Sequence, residues 1–259
     1  MLDRWYRSLR LKLTLDEFER LPRNSAFKYE YSGGEAWLTP RPKTFNGLLD
    51  LQPVDASLIH QIEGQEFGFR PLSAEAWDEL PPLFAAAFQR VQPFISLDEN
   101  ERLEASRECL EQTRSGGDGP LIDQASFVAE SPDGQITGAI LITLIPRVPE
   151  GEWWDAKWEM LPTTDQARRL LGRPHLTWIF VAPDRAGEGL GTALLHQSIN
   201  ALVLQGYIDL ASTFLVGNDS STLWHWRNGF RLLPYPASGR ALRQRRALQT
   251  DPRTSPGES

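Results

Sequence analysis

One stretch limits the choice of fold more than any other. From Thr177 to Thr192 the chain reads Thr-Trp-Ile-Phe-Val-Ala-Pro-Asp-Arg-Ala-Gly-Glu-Gly-Leu-Gly-Thr: an apolar strand, a turn with alternate glycines, and the start of a helix. Alternate glycines let the backbone close around an anion, and the helix behind them aims unsatisfied N–H groups and its positive dipole end at the same spot. The segment therefore predicts a phosphate or pyrophosphate site, with a plain structural turn as its alternative. A P-loop would end in Gly-Lys-Ser/Thr and a dinucleotide fingerprint would read G-x-G-x-x-G, whereas Gly187, Gly189 and Gly191 give G-x-G-x-G.

Composition narrows the class further. The 259 residues include nine Trp, twelve Phe and five Tyr, more aromatic surface than a solvated chain carries, so a packed core is expected. A formal charge of -7 argues against a general nucleic-acid face. The single cysteine, Cys109, excludes an internal disulfide and a cysteine-rich metal site, and a reducing compartment follows. No apolar run has the length of a membrane helix, and Met1 to Leu13 has no apolar signal core, so the expectation is a cytoplasmic protein without membrane partners.

Along the chain, Leu15–Leu21 reads as a short helix, and Phe27–Tyr31 with Glu35–Leu38 as an aromatic hairpin around Gly33-Gly34. Phe45–Leu51 reads as another strand. From Phe67 onward strands and helices alternate: strand Phe69–Leu72, a helix capped by Ser73 and kinked by Pro81-Pro82, a helix over Asp98–Thr113, and strands Ser126–Ser131 and Gln135–Ile145. A polar, Trp-bearing insertion is expected over Arg147–Pro174. Strand Leu176–Val181, helix Gly189–Leu204, strand Leu210–Val216, helix Ser220–Asn228 and strand Phe230–Leu233 follow. The expected organisation is a β-rich extension over 1–66, an α/β domain over 67–236 and a basic, disordered tail over 237–259.

Val181-Ala182-Pro183-Asp184 followed by Gly187-Glu188-Gly189-Leu190-Gly191 resembles the acetyl-CoA-binding motif Q/R-x-x-G-x-G/A of the GCN5-related N-acetyltransferases. Asn218 with Ser221, Trp224 and Gly229-Phe230 is similar to a second motif of that family, and the element order β-α-α-β-β-β-α-β-α-β over Phe69–Leu233 agrees. The resemblance implies a mixed, mostly antiparallel sheet flanked by helices, and direct transfer of the acetyl group of acetyl-CoA to an amine, with no metal. It also implies that Ile179, Phe180, Val181, Arg185, Ala186, Gly187, Glu188, Gly189, Leu190, Gly191, Thr192 and Asn218 hold the donor. The main-chain N–H groups of Ile179 and Val181 would face the pantetheine and thioester. The family's Gln or Arg falls on Ala186, with Arg185 one place early as a substitute. Its usual Tyr, which protonates the departing thiolate, falls on His225.

Among single residues, strand alternation places His175 on the face of Thr177, Ile179 and Val181, where it would act as a base; capping the insertion is its alternative. His225, between Trp224 and Trp226, is either an acid or a packing residue. Trp153, Trp154, Asp155 and Trp158 suit a cationic amine, or else a lid or homodimer contact. The expected acceptor is a small-molecule or peptide amine. A catalytically silent CoA-binding or regulatory module, and an enzyme using a longer acyl-CoA, stay open. After Pro234-Tyr235-Pro236 no seventh strand of the family pattern follows, so the extension around Phe27–Leu38 is expected to cover that sheet edge or shape the acceptor pocket.

Overall fold

The computed structural model describes residues 2–55, 67–148, 158 and 172–233. A 3-10 turn, Leu2–Trp5, leads into strand β1 (Leu9–Lys12) and helix α1 (Leu15–Arg20). Thr14 caps α1 in a reciprocal box with Glu17, which satisfies two backbone N–H groups at the helix start. β2 (Phe27–Ser32) and β3 (Glu35–Pro40) form the expected hairpin, and Gly33 and Gly34 take φ +59 and +81, the values that a tight two-residue turn needs at both central positions. These three strands make a small sheet in the order β1-β3-β2.

The next strand, β4 (Thr44–Asp50), leaves that sheet for a larger one. The remaining elements are β5 (Gly68–Pro71), α2 (Leu80–Ala87), α3 (Glu99–Arg114), β6 (Phe127–Glu130), β7 (Ile136–Pro146), β8 (Gly172–Val181), α4 (Leu190–Leu204), β9 (Asp209–Leu215), α5 (Asp219–Arg227) and β10 (Arg231–Leu232). From β5 onward the order is the one read from sequence. The seven-stranded sheet runs β10-β4-β9-β8-β7-β6-β5, antiparallel at every pair except β8 with β9. The fold is thus α/β, a mixed and mostly antiparallel sheet flanked by helices, with a β-rich N-terminal segment.

Helices bury both faces of the sheet, which is why β7 is almost uninterruptedly apolar instead of alternating. On one face Leu194, Leu195 and Leu202 of α4 pack against Ile140, Ile142, Leu176 and Leu210. On the other, Leu80 and Phe84 of α2 and Leu110 of α3 meet Leu141, Trp178 and Phe180. Phe84 packs edge-on against both Trp178 and Phe180, at centroid distances of 4.8 and 5.1 Å. Two local expectations fail near here. Ser73 does not cap a helix, because Ala76–Asp78 is a 3-10 turn and α2 begins at Leu80. Pro81 and Pro82 do not kink α2; they lie in its first turn, where the missing N–H groups have no helical partner to lose.

The edge expected to need cover is covered by β4, not by Phe27–Leu38. β4 pairs with β9 from Thr44↔Leu215 to Asp50↔Asp209 and carries β10 on its other side. Pattern explains the choice. The hairpin strand β2 alternates between half-buried and exposed residues, as a sheet with one wet face requires, whereas Asn46, Gly47 and Leu48 are buried in succession. At Gly47 a Cβ would lie 3.3 Å from a Phe230 ring carbon and 3.4 Å from Phe214, so glycine lets the two rings close over the strand.

Candidate functional site

β8 and β9 are paired only at His175↔Ala211 and Leu176↔Ser212. Beyond Leu176 the register records no pairing between them. Against β7, a register shift opposite Leu141/Ile142 leaves Thr177 as an extra residue in β8, a bulge that bends the strand away from β9. The N–H of Ala182 donates to the Thr137 carbonyl at 2.8 Å. Antiparallel alternation then turns the main chain of Phe180 toward β7, and that of Ile179 and Val181 toward β9, into the opening.

The glycine turn follows at once. Pro183–Arg185 forms a 3-10 turn, Gly187 has φ +91, and Gly189, with φ +83, is the N-cap of the 15-residue helix α4 without any side-chain cap bond. A Cβ at Gly187 or Gly189 would meet nothing within 4 Å, so backbone conformation rather than crowding requires glycine, and the outer side of the turn is open. The first intrahelical bond runs from Ala193 N–H to the Gly189 carbonyl at 3.0 Å. Leu190, Gly191 and Thr192 therefore present N–H groups without helical partners. Glu188 is bonded back to the Arg185 carbonyl, and the Arg185 guanidinium lies 3.8 Å from the Glu188 carboxylate. Ala186 is exposed beside them.

The bulge also relocates His175. Leu176, Ile179 and Val181 share the α4 face, so the extra residue reverses the expected alternation, and His175 and Thr177 sit with Thr143 on the α2–α3 side. His175 lies inside β8 and caps nothing. Its Nδ1 is 3.0 Å from Thr177 Oγ1 and its Nε2 is 3.1 Å from Thr213 Oγ1. Thr177 is in turn 2.8 Å from Thr143 Oγ1, and the Thr213 hydroxyl donates to Asn46 Oδ1 at 2.8 Å. Burial, with His225 nearby, pushes the His175 ring down to about 4, so it is neutral at physiological pH.

His225 is 2% exposed and stacks on Phe214 at 3.9 Å between centroids. Its Nδ1 is 2.7 Å from the Ser221 carbonyl, an acceptor only, so Nδ1 carries the proton and Nε2 accepts the Ser212 hydroxyl at 2.8 Å. Burial pushes this ring down to about 4 as well, and the Ser221 carbonyl offsets only part of that. His225 is therefore packed, with burial disfavouring its charged form. Asn218 caps α5, its Oδ1 accepting from Ser221 N–H at 3.1 Å.

Two connected hollows meet here. A cleft of about 420 Å³ takes in Thr177, Ile179, Ser212 and His225, and a groove of about 600 Å³ takes in Val181, Ala186 and the Gly217–Ser220 turn. Tyr6, Pro42, Val91, Gln92, Leu215 and Asn218 line both. Asn24, Phe27 and Arg41 join the groove wall, and of the strands over Phe27–Leu38 only Phe27 reaches it. Sequence reasoning missed Gln92, Asp118, Thr177 and Ser212. Each sits in a stretch read only as loop or strand, and the bulge, the α2–α3 connection that carries Gln92 and the α3–β6 connection that carries Asp118 bring them together.

Trp158 lines neither hollow, though its indole nitrogen lies by the Gly119 turn that follows Asp118. Its Nε1–H donates to the Leu144 carbonyl at 2.9 Å, and its ring packs near Gly172 at the far end of β7 and β8. Trp153, Trp154 and Asp155 lie outside the described residues. Among those described, no group of three metal-ligating side chains converges, and no helix is long and apolar enough to cross a membrane.

The architecture is that of an α/β protein whose sheet opens beside a helix N-terminus. No family model and no curated protein matches the chain. Many of the solved structures similar to it are GNAT acetyltransferases. It is similar to a GCN5-related N-acetyltransferase from Sphaerobacter thermophilus, at 16% identity and a TM-score of 0.46 over 74% of this chain and 49% of that one. The chain thus spans about half the length of that protein. It is also similar to a GNAT family acetyltransferase from Brucella melitensis in complex with acetyl-CoA, at 21% identity and a TM-score of 0.43 over 67% and 90%. A third is the PaiA N-acetyltransferase from Thermoplasma acidophilum in complex with coenzyme A, at 13% identity and a TM-score of 0.43 over 64% and 90%.

Proposed function

We propose that this chain is an N-acyltransferase that moves the acetyl group of acetyl-CoA directly to an amine. The observation that carries the reading is the continuity of two features: the unpaired stretch of β8 runs straight into the glycine turn and the open N-terminus of α4. A long thioester with an anionic end has the same two needs in the same order. The first-turn N–H groups of Leu190, Gly191 and Thr192, with Gly187 and Arg185, hold the pyrophosphate. The N–H groups of Ile179 and Val181 hold the pantetheine arm and polarise the thioester carbonyl, and Asn218, tied up as a helix cap, shapes the passage between the two hollows.

Acetyl-CoA supplies the activated acyl group: a C–N bond forms as the C–S bond breaks, the amine loses a proton and the thiolate gains one. The Thr213 hydroxyl is committed to Asn46, so His175 donates Nε2–H to Thr213 and keeps Nδ1 as the acceptor that takes the amine proton through the Thr177 hydroxyl, the departing thiolate being that proton's final destination. His225 does not act as an imidazolium acid. It orients the Ser212 hydroxyl instead, and the leaving thiol, with an ordinary pKa of about 8.5, departs as thiolate without a strong acid.

Calorimetric titration of acetyl-CoA into the wild type and into Gly189→Trp tests the reading, because a bulky side chain in the turn blocks the approach of an anion. Micromolar binding abolished by the substitution, followed by amine-dependent release of free thiol, is the expected result. A folded wild type that binds no acetyl-CoA overturns it. Binding without amine-dependent thiol release marks a silent CoA-binding module, the reading that neutral His225 favours. Tighter binding of a longer acyl-CoA marks a different donor.

A further inference from the structure

The cleft beside β8 carries one formal charge. Among the described residues its walls hold a single carboxylate, Asp118, and no lysine or arginine. That carboxylate accepts hydrogen bonds from Gln112 Nε2 and, at 2.7 Å, from Thr113 Oγ1, both neutral donors that leave two of its roughly four acceptor positions open. The loop that bears it is pinned. Thr143 Oγ1 donates to the Asp118 carbonyl at 3.0 Å, and at Gly119, with φ +98, a Cβ would collide with the Leu144 carbonyl. The Trp178 indole N–H donates to the same Thr113 hydroxyl at 2.9 Å, which fixes an aromatic ring beside the carboxylate, and Phe88 and Phe94 continue the apolar wall.

A second, independent feature of this cleft points to a ligand. Gln92 is 9% exposed, yet both its Oε1 and its Nε2 are buried without a hydrogen-bond partner. Leaving one such group unpaired in a protein interior is costly, and a primary amide leaves a donor and an acceptor together. Gln92 lines both hollows, so the unpaired carboxamide belongs to the residue that the cleft and the groove share on this wall.

We propose that this cleft is the acceptor site for a cationic amine with an apolar body, its ammonium paired with Asp118 and a second polar group, able both to donate and to accept, paired with Gln92. The inference rests on the acyl-transfer reading for the word acceptor, but the recognition stands on the cleft itself. A half-buried carboxylate with only neutral partners selects a cation, and the aromatic wall gives the carbon skeleton and the cation a favourable surface.

The test is calorimetric titration of three probes into the full chain, alone and with CoA present: tyramine, its neutral counterpart tyrosol, and 2-phenylethylamine, which lacks the second polar group. Tyramine is expected to bind about tenfold tighter than tyrosol or better, and Asp118→Asn to bring the two together. Tyramine should also bind tighter than 2-phenylethylamine, and Gln92→Leu should remove that margin while sparing the preference for charge. Equal binding of tyramine and tyrosol, no binding of tyramine at millimolar concentration, or a preference for charge that survives Asp118→Asn overturns the proposal. If Asp118→Asn does not fold, the wild-type comparison of charged and neutral probe decides. A charge preference in a protein that binds no CoA retires the acyl-transfer reading and keeps the amine site; CoA binding without the preference does the reverse.

Discussion

The Ser212 hydroxyl donates to Nε2 of His225 at 2.8 Å, a direction set by the neutral ring with its proton on Nδ1. An imidazolium would have a donor where the acceptor now is, so the Ser212 hydroxyl, 1% exposed, would have to turn round to accept and give up the acceptor for its own proton. Histidine in an unfolded chain titrates near 6.5, and His225 in the folded protein near 4. Between those values the unfolded chain binds more protons, so this contribution is fully present above pH 6.5 and is lost as pH falls toward 4. Urea midpoints measured from pH 7 to pH 4 should show that loss. His225→Gln should lower the proton uptake on unfolding in that window by up to about one proton; an unchanged acid slope in the variant would show that His225 does not titrate this way.

Arg173 and Asp209 form an ion pair at 3.2 Å with both side chains almost wholly buried, joining β8 to β9 just before the strands part. Removing one partner leaves an uncompensated buried charge. Asp209→Ala is expected to cost about 3–5 kcal/mol in chemical denaturation. Replacing both residues with leucine should cost clearly less than Asp209→Ala alone, and a double variant as unstable as the single would count against this account.

Leu48, 3% exposed, belongs to β4 yet packs with Ala211 and Leu233 of the larger sheet. Leu48→Ala is expected to lower stability by roughly 2–5 kcal/mol, the range for a buried leucine. Lys28→Ala in the small sheet, at an exposed site, should stay within about 0.5 kcal/mol. Similar costs for the two would mean that β4 is not integral to the main sheet.

Gln92→Leu is expected to stabilise the ligand-free protein by about 1–3 kcal/mol, since it removes two unpaired polar atoms and keeps the volume. A loss of stability in urea denaturation would show that the carboxamide has a partner in the folded protein.

Local chemistry was legible in the sequence wherever pattern and capping agreed. The Asp98–Glu101 box starts α3, the paired glycines turn β2 into β3, and Gly187 and Gly189 take the positive φ that their spacing announced. The misreadings came from long-range geometry. Strict alternation put His175 beside Ile179, and one bulged residue, Thr177, undid it; nothing in His-Leu-Thr-Trp marks a bulge. Phe45–Leu51 was visible as a strand, but its seat between β9 and β10 depends on residues much later in the chain. Asp118 lay in a glycine-rich break read only as a loop, and Gln92 carries no sequence signal, because its significance is the absence of neighbours for its amide.

The position of β4 ties the timing of folding to the site. β4 leaves the ribosome long before its partner β9, so the early part of the chain must wait with an unpaired strand until almost all of the domain has been made. Only then does Asn46 receive the Thr213 hydroxyl, which in turn meets Nε2 of His175. A nascent or truncated chain without that closure has both an open sheet edge and a His175 whose Nε2 partner is no longer held, so a protein that has lost its beginning loses the sheet and the setting of that ring together.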